Sequence, residues 1–119
     1  MVHLIQALFA LYPDKEWTVD GDSYRGIRWG ANMEESERPT EEFLELKRQE
    51  LIVAQLWKKL REERNKRISK TDFLATIDYP HTSEEVKQAW LDYRQTLRDL
   101  PAKTEDPSSA TWPSEPTYQ

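Results

Sequence analysis

Side chains able to do chemistry are few in this chain of 119 residues, and they are scattered. The two histidines, His3 and His81, form no cluster with other residues at metal-ligand spacing. Cysteine is absent, which removes disulfides, thiol nucleophiles and zinc-finger or redox motifs. Gly21, Gly26 and Gly30 are the only glycines, so there is no glycine-rich loop to cradle phosphate. No serine sits in a glycine-flanked elbow. The acidic pairs Glu41–Glu42 and Glu84–Glu85 fall where helices are predicted to start, and the helix dipole accounts for them there. The sequence points away from an enzyme and implies no cofactor and no metal. One charged constellation remains: Lys58, Lys59, Arg61, Arg64, Lys66, Arg67 and Lys70. It could form a nucleic-acid face. No aromatic residue is interleaved with it, however, and no zinc or helix-turn-helix signal accompanies it. A solvated helix C-terminus explains the run better. The net charge of −5 also argues against general nucleic-acid binding.

The elements that hold these residues must fit a short, polar chain. Apolar residues make up 37% and charged residues 33%, which suits one domain, or a small domain with appended elements. A core this modest is often completed by oligomerisation. Five Trp and five Tyr favour an aromatic core or an interface. The one apolar run, residues 4–12, is too short to span a membrane and lacks a basic leader. A soluble cytoplasmic protein is expected. Charge is uneven: net −3 over residues 1–39, +3 over 40–70 and −5 over 71–119. The basic middle could pair with the acidic ends, within one chain or between chains.

Taken in order, Leu4, Ile5, Leu8, Leu11 and Tyr12 predict a short amphipathic helix ending before Pro13. Glu16 to Trp29 predicts a β-hairpin, with Trp17 and Val19 outbound, Asp20-Gly21 as a type I′ turn, and Tyr24, Ile27 and Trp29 returning. Its aromatics suit core or interface better than a ligand site. Residues 30–38 predict a loop. Pro39-Thr40-Glu41-Glu42 then opens a long helix capped by Thr40. Leu46, Val53 and Leu60, with Leu56 between, form a short imperfect heptad seam. Phe43, Leu44, Leu51, Ile52 and Trp57 lie off the seam, so more than one face is apolar. Homo-oligomerisation follows, with a monomeric helical hairpin as the alternative.

Residues 71–81 predict a connector. Thr71 or Asp72 caps a short turn there, Asp72 pairs with Arg64 or Arg94, and Phe73, Leu74 and Ile77 plug between helices. A second helix spans residues 82–101. Thr82 and Glu85 form its capping box, Pro101 stops it, and Val86, Ala89, Trp90, Tyr93, Leu97 and Leu100 form its apolar stripe. Beyond it, Pro101, Pro107, Pro113 and Pro116 predict an extended tail. There Trp112-Pro113-Ser114-Glu115-Pro116 either docks a partner or folds back into its own groove. The expected architecture is α+β, mainly α. It comprises an N-terminal helix and β-hairpin (1–39), a helical hairpin (40–101) and an extended Pro-rich tail (102–119).

Trp90-x-x-Tyr93-Arg94-Gln95-x-Leu97-Arg98-Asp99-Leu100-Pro101, followed by Trp112-Pro113-x-x-Pro116, resembles the C-terminal signature of phage tail (tail-fibre) assembly chaperones. Leu60-Arg61-x-x-Arg64-Asn65 and Thr71-Asp72-Phe73 fit it too, although Phe73 stands where the family more often has Trp. The resemblance covers roughly residues 60–116. It implies a chaperone that binds a tail-fibre protein in the host cytoplasm and assists its trimerisation. The partner-contact candidates are Trp112, Pro113 and Tyr118 on the tail, and Tyr24 and Trp29 on the hairpin. Leu46, Val53, Leu56 and Leu60 are the oligomer seam, with a trimer favoured. Two rival functions remain open: a permanent tail, fibre or baseplate subunit of the virion, and a nucleic-acid-binding regulator.

Overall fold

The computed structural model describes residues 2–117. Its elements are α1 (Leu4–Leu11), β1 (Trp17–Val19), β2 (Ile27–Trp29), α2 (Glu41–Ser69) and α3 (Glu84–Lys103), joined by short 3₁₀ turns. The fold is mainly α with one small antiparallel sheet, as expected. It separates into two compact units, Met1–Gln55 and Leu56–Gln119, and α2 contributes to both. Among the described residues no helix is long and apolar enough to cross a membrane.

In the first unit, Leu4, Leu8, Ile27 and Leu44 form the core, and Leu11, Tyr12, Trp17, Val19, Tyr24 and Trp29 pack around it. Burying each of these large side chains contributes about 1.5–3 kcal/mol. The face of α1 differs from expectation at one position. Ala7 is buried, while Ile5 is exposed. The strands pair Trp17 with Trp29, Thr18 with Arg28 and Val19 with Ile27. The hairpin is real, but its turn is not the predicted two-residue type I′. That turn needs positive φ at both central residues, and only Gly21 has it (φ 77°). Residues 20–26 instead form a longer loop containing a 3₁₀ turn, Tyr24–Gly26, closed by the Asp20 amide donating to Gly26 O at 2.9 Å. A side chain at residue 26 would come 2.1 Å from Asp20 O, so the close approach requires glycine. Thr40 caps α2 as expected, its hydroxyl accepting from the Phe43 amide at 3.1 Å.

That loop frees Asp22 for a role the sequence did not reveal. Asp22 Oδ1 accepts from the Leu4 amide at 2.6 Å, and Oδ2 lies 3.2 Å from His3 Nδ1 and 3.4 Å from Arg48 Nη1. One carboxylate therefore ties the hairpin loop to the start of α1 and to α2.

In the second unit, Leu74, Trp90, Tyr93 and Leu97 form the core, with Ile68, Tyr79, Val86 and Trp112 packed on it. The C-terminal part of α2 and α3 run antiparallel: Arg64 reaches the Arg98 carbonyl at 3.5 Å and Arg94 reaches that of Ile68 at 3.0 Å. The helix boundaries shift from those expected. Ser83, not Thr82, caps α3, accepting from the Val86 amide at 3.1 Å. Both residues are good caps, and Ser83 is the one three residues before that amide. Pro101 does not stop α3, which runs to Lys103. Its missing N–H leaves unmade only the bond to Leu97 O. Thr104 finishes the helix, its hydroxyl donating to Leu100 O at 2.6 Å. Of Phe73, Leu74 and Ile77 in the connector, Leu74 is the one that enters the core. Phe73 is 48% exposed, because the 3₁₀ turn Asp72–Ala75 directs Leu74 inward instead, and Ile77, beyond that turn, is fully exposed.

Hydrogen bonds from the Leu4 amide and His3, helped by the Arg48 charge, hold the Asp22 carboxyl below its ordinary pKa of 3.8. A lowered folded pKa means that the contribution is complete above the unfolded value and fades as pH falls through the folded one. The difference in thermal midpoint between the wild type and Asp22→Asn should therefore be widest near neutrality and shrink as pH falls below the ordinary carboxylate value of 3.8. A difference constant across that range would remove Asp22 from this role.

Candidate functional site

The sequence signature centred on α3 builds a closed node where α2 ends. The last carbonyls of a helix have no partner within it, and here Ile68 O collects three donors. The Thr71 amide and the Thr71 hydroxyl each donate at 2.9 Å, and Arg94 Nη1 donates at 3.0 Å. Arg94 Nη1 also donates to Thr71 Oγ1 at 2.8 Å and lies 3.1 Å from Asp72 Oδ1. Of the two partners expected for Asp72, Arg94 is the one it meets. Thr71 starts the 3₁₀ turn but does not cap it, because its hydroxyl is already committed to Ile68 and Arg94. The Arg94 side chain is 8% exposed, against 63% for Asp72. The buried cation, not the acid, organises the site. Trp90 and Tyr93 meet edge to face at 5.9 Å on the same helix. His81 contributes by placing Nε2 at 2.8 Å from Leu74 O, which fixes the connector. This is a structural lock. Among the described residues no group of His, Cys, Asp or Glu could hold a metal ion.

Surfaces suited to contact lie elsewhere. In the first unit, Ile5, Phe9, Pro13, Lys15, Trp17, Thr18 and Val19 line an open groove of about 340 Å³. Phe9 is 60% exposed and meets Trp17 edge to face at 4.8 Å. The sequence reading passed over Phe9, although it is the bulky apolar residue of α1 that falls off the Leu4–Leu8–Leu11 stripe. The first half of α2 is apolar on two sides: Leu44 is buried, while Phe43, Leu46 and Val53 are exposed.

The residues singled out from the sequence divide between core and surface. Tyr24 and Trp29 pack on the first unit's core, and the Tyr24 hydroxyl donates to Pro39 O at 2.7 Å. Leu46 and Val53 are exposed, Leu56 is half-buried, and Leu60 is buried inside the second unit. Trp112 and Pro113 are half-buried. The Trp112 ring lies under the Arg67 guanidinium, 4.2 Å from its carbon, so the tail folds back on its own unit. Tyr118 lies outside the described residues. The tail carries a 3₁₀ turn, Pro107–Ser109, whose first amide bonds are met by Asp106.

The sequence model of one family, described as phage tail assembly chaperone protein, matches residues 57–117, which hold the whole Arg94 node and the tail. The chain belongs to the phage tail assembly chaperone family. Searches of curated proteins and of solved structures gave no match. The match begins one residue after the second compact unit does, so it falls on this unit, and residues 1–56 lie outside it. A role as a chaperone in assembling phage tails, and binding to phage tail proteins, follow from membership.

Arg94→Ala should destabilise the chain by about 2–4 kcal/mol in urea unfolding, since it strips charged hydrogen bonds from buried acceptors. Arg94→Lys should recover little of this, because one ammonium does not reproduce the guanidinium fork. Asp72→Ala should cost about 0.5–1 kcal/mol, the range of an exposed ion pair. Equal losses for Arg94→Ala and Asp72→Ala would overturn the ranking.

Proposed function

We propose that this chaperone serves a tail fibre. It binds the fibre protein in the host cytoplasm during assembly, covers apolar surface on the incomplete fibre, and helps three chains come into register. The observation that carries this reading is the set of large apolar side chains left in solvent by the first unit: Ile5, Phe9, Phe43, Leu46 and Val53. A small polar chain does not leave so many exposed without use, and clustered exposed apolar side chains mark interaction sites. The Ile5–Phe9–Trp17 groove suits apolar side chains of an unfinished client, and the exposed side of α2 suits a second copy of the chain.

For self-association, Leu46 and Val53 are the accessible part of the heptad seam. Leu60 is spent in its own unit, and Leu56 contributes at the edge. A trimer would match the threefold symmetry that a fibre client needs to acquire. Closed symmetric assembly also hides a hydrophobic stripe without leaving an open end.

Co-expression with the fibre protein, read by light scattering on a sizing column, tests the client. The expected result is a fibre that is soluble only with this protein and elutes with it in a fixed ratio. A fibre that folds equally well alone and elutes apart would overturn the fibre reading. The chain by itself should run at about three times its monomer mass, and Leu46→Glu with Val53→Glu should reduce it to a monomer, since charges placed in an apolar seam are left unpaired. A wild-type chain that is already monomeric would end the trimer proposal.

A further inference from the structure

The tail carries its own clue to what the second unit binds. Arg67 donates from Nε to Glu63 Oε1 at 3.0 Å, which holds its guanidinium plane in place. The Trp112 ring lies against that plane and packs on the Leu74, Trp90, Tyr93 and Leu97 core. Beside the ring, Leu56, Lys59, Leu60 and Glu63 of α2 face Pro107, Ser108 and Ala110 of the tail itself across an open groove of about 370 Å³. The main chain takes little part. Among the described residues, the hydrogen bonds of the tail are the Thr104 bonds that close α3 and the local bonds of Asp106, Ser108 and Ser109. Residues 110–117 are thus held by side-chain packing around one aromatic anchor. Prolines keep this stretch extended at small entropic cost.

A segment seated in this way can be exchanged. We propose that the Arg67 and Leu60 groove is a docking site for an extended, proline-flanked aromatic segment of a client tail protein, and that Trp112-Pro113 is its resident occupant. The client displaces the tail, stacks its own aromatic ring on Arg67 and lays its prolines along Leu56 and Leu60. The chemistry follows from the present occupant: an aromatic face for the cation, extended backbone, and no requirement for main-chain pairing. Only the identity of the displacing protein rests on the chaperone reading.

The test uses the full-length chain and a fluorescein-labelled peptide with the sequence of residues 110–119, read by fluorescence anisotropy. The wild type should bind this peptide weakly, because its own tail competes at high effective concentration. Trp112→Ala, with the seat vacated, should bind at least about tenfold more tightly. Adding Arg67→Ala to Trp112→Ala should remove most of that gain. Equal binding by the wild type and Trp112→Ala would overturn the proposal, as would no binding by a Trp112→Ala chain whose helical circular dichroism is intact. If Trp112→Ala loses that signal, Trp112→Leu replaces it. It keeps apolar volume but gives up the stack, and the same criteria apply. Adding the tail protein to the complex of peptide and variant should release the peptide. Release supports the shared seat, and a peptide that stays bound overturns the client half of the proposal. A failed co-expression with the fibre does not touch the peptide titration, so the two ideas fail separately.

Discussion

The last carbonyls of α2 have no partner inside the helix, and the second unit is built around meeting that need. Ile68 O is reached by a backbone amide, a hydroxyl and a guanidinium. A cation at a helix C-terminus also answers the negative end of the dipole. Because Arg94 approaches from α3, satisfying the end of α2 fixes where α3 passes. Its neighbours on that helix, Trp90, Tyr93 and Leu97, are then carried into the core with Leu74. Spacing explains why aromatic and arginine residues occur together in the signature. Tyr93 and Arg94 are adjacent and about 100° apart around the helix. One can face the apolar core while the other reaches the polar end of α2.

Much of this was legible because helical periodicity and cap chemistry are local. The buried stripe of α3, the Thr40 cap of α2 and the pairing of Asp72 with one of two arginines could all be read from residue types and spacing. The errors fall where two local signals compete or where the deciding contact is remote. Thr82 and Ser83 are equivalent caps one residue apart, and only the helix itself selects between them. Pro101 is a helix breaker by type, but one turn from the end it leaves only one bond unmade, and Thr104 closes what remains. Asp20-Gly21 has the composition of a tight turn. The loop opens because Asp22 is drawn to the Leu4 amide, and no local pattern announces that contact.

The candidate surfaces were less legible than the fold for a related reason. A sequence marks a side chain as apolar but does not say whether its own chain will cover it. Tyr24 and Trp29 have the same character as Phe9 and Phe43. The first pair packs on the Leu8 and Ile27 core, and the second stays in water. Position within the helix makes the difference. Phe43 directly precedes the buried Leu44, about 100° around α2, and Phe9 follows Leu8 in the same way on α1. In each case one residue fills the core and its neighbour faces out.

Both units leave apolar side chains in solvent, Phe73 and Ile77 in the second among them, and they close their polar groups by different devices. In the second unit a charged lock closes the end of α2 and a tail covers much of the apolar groove, and this is the part that the family model matches. The first unit, outside that match, closes its polar groups through Asp22 yet leaves Phe9, Phe43, Leu46 and Val53 uncovered. A chaperone must offer apolar surface without aggregating through it. Two physical routes are present in this one chain. Surface can be left open among charges, as on α2, where Glu42, Glu45 and Glu50 are interleaved in sequence with the exposed Phe43, Leu46 and Val53. Alternatively, surface can be covered by a segment of the same chain, here the tail, whose Trp112 packs on the core and on Arg67. A tethered cover of this kind acts at high effective concentration, so each contact within it can be weak. That weakness is what would let a client segment take its place in the exchange proposed above.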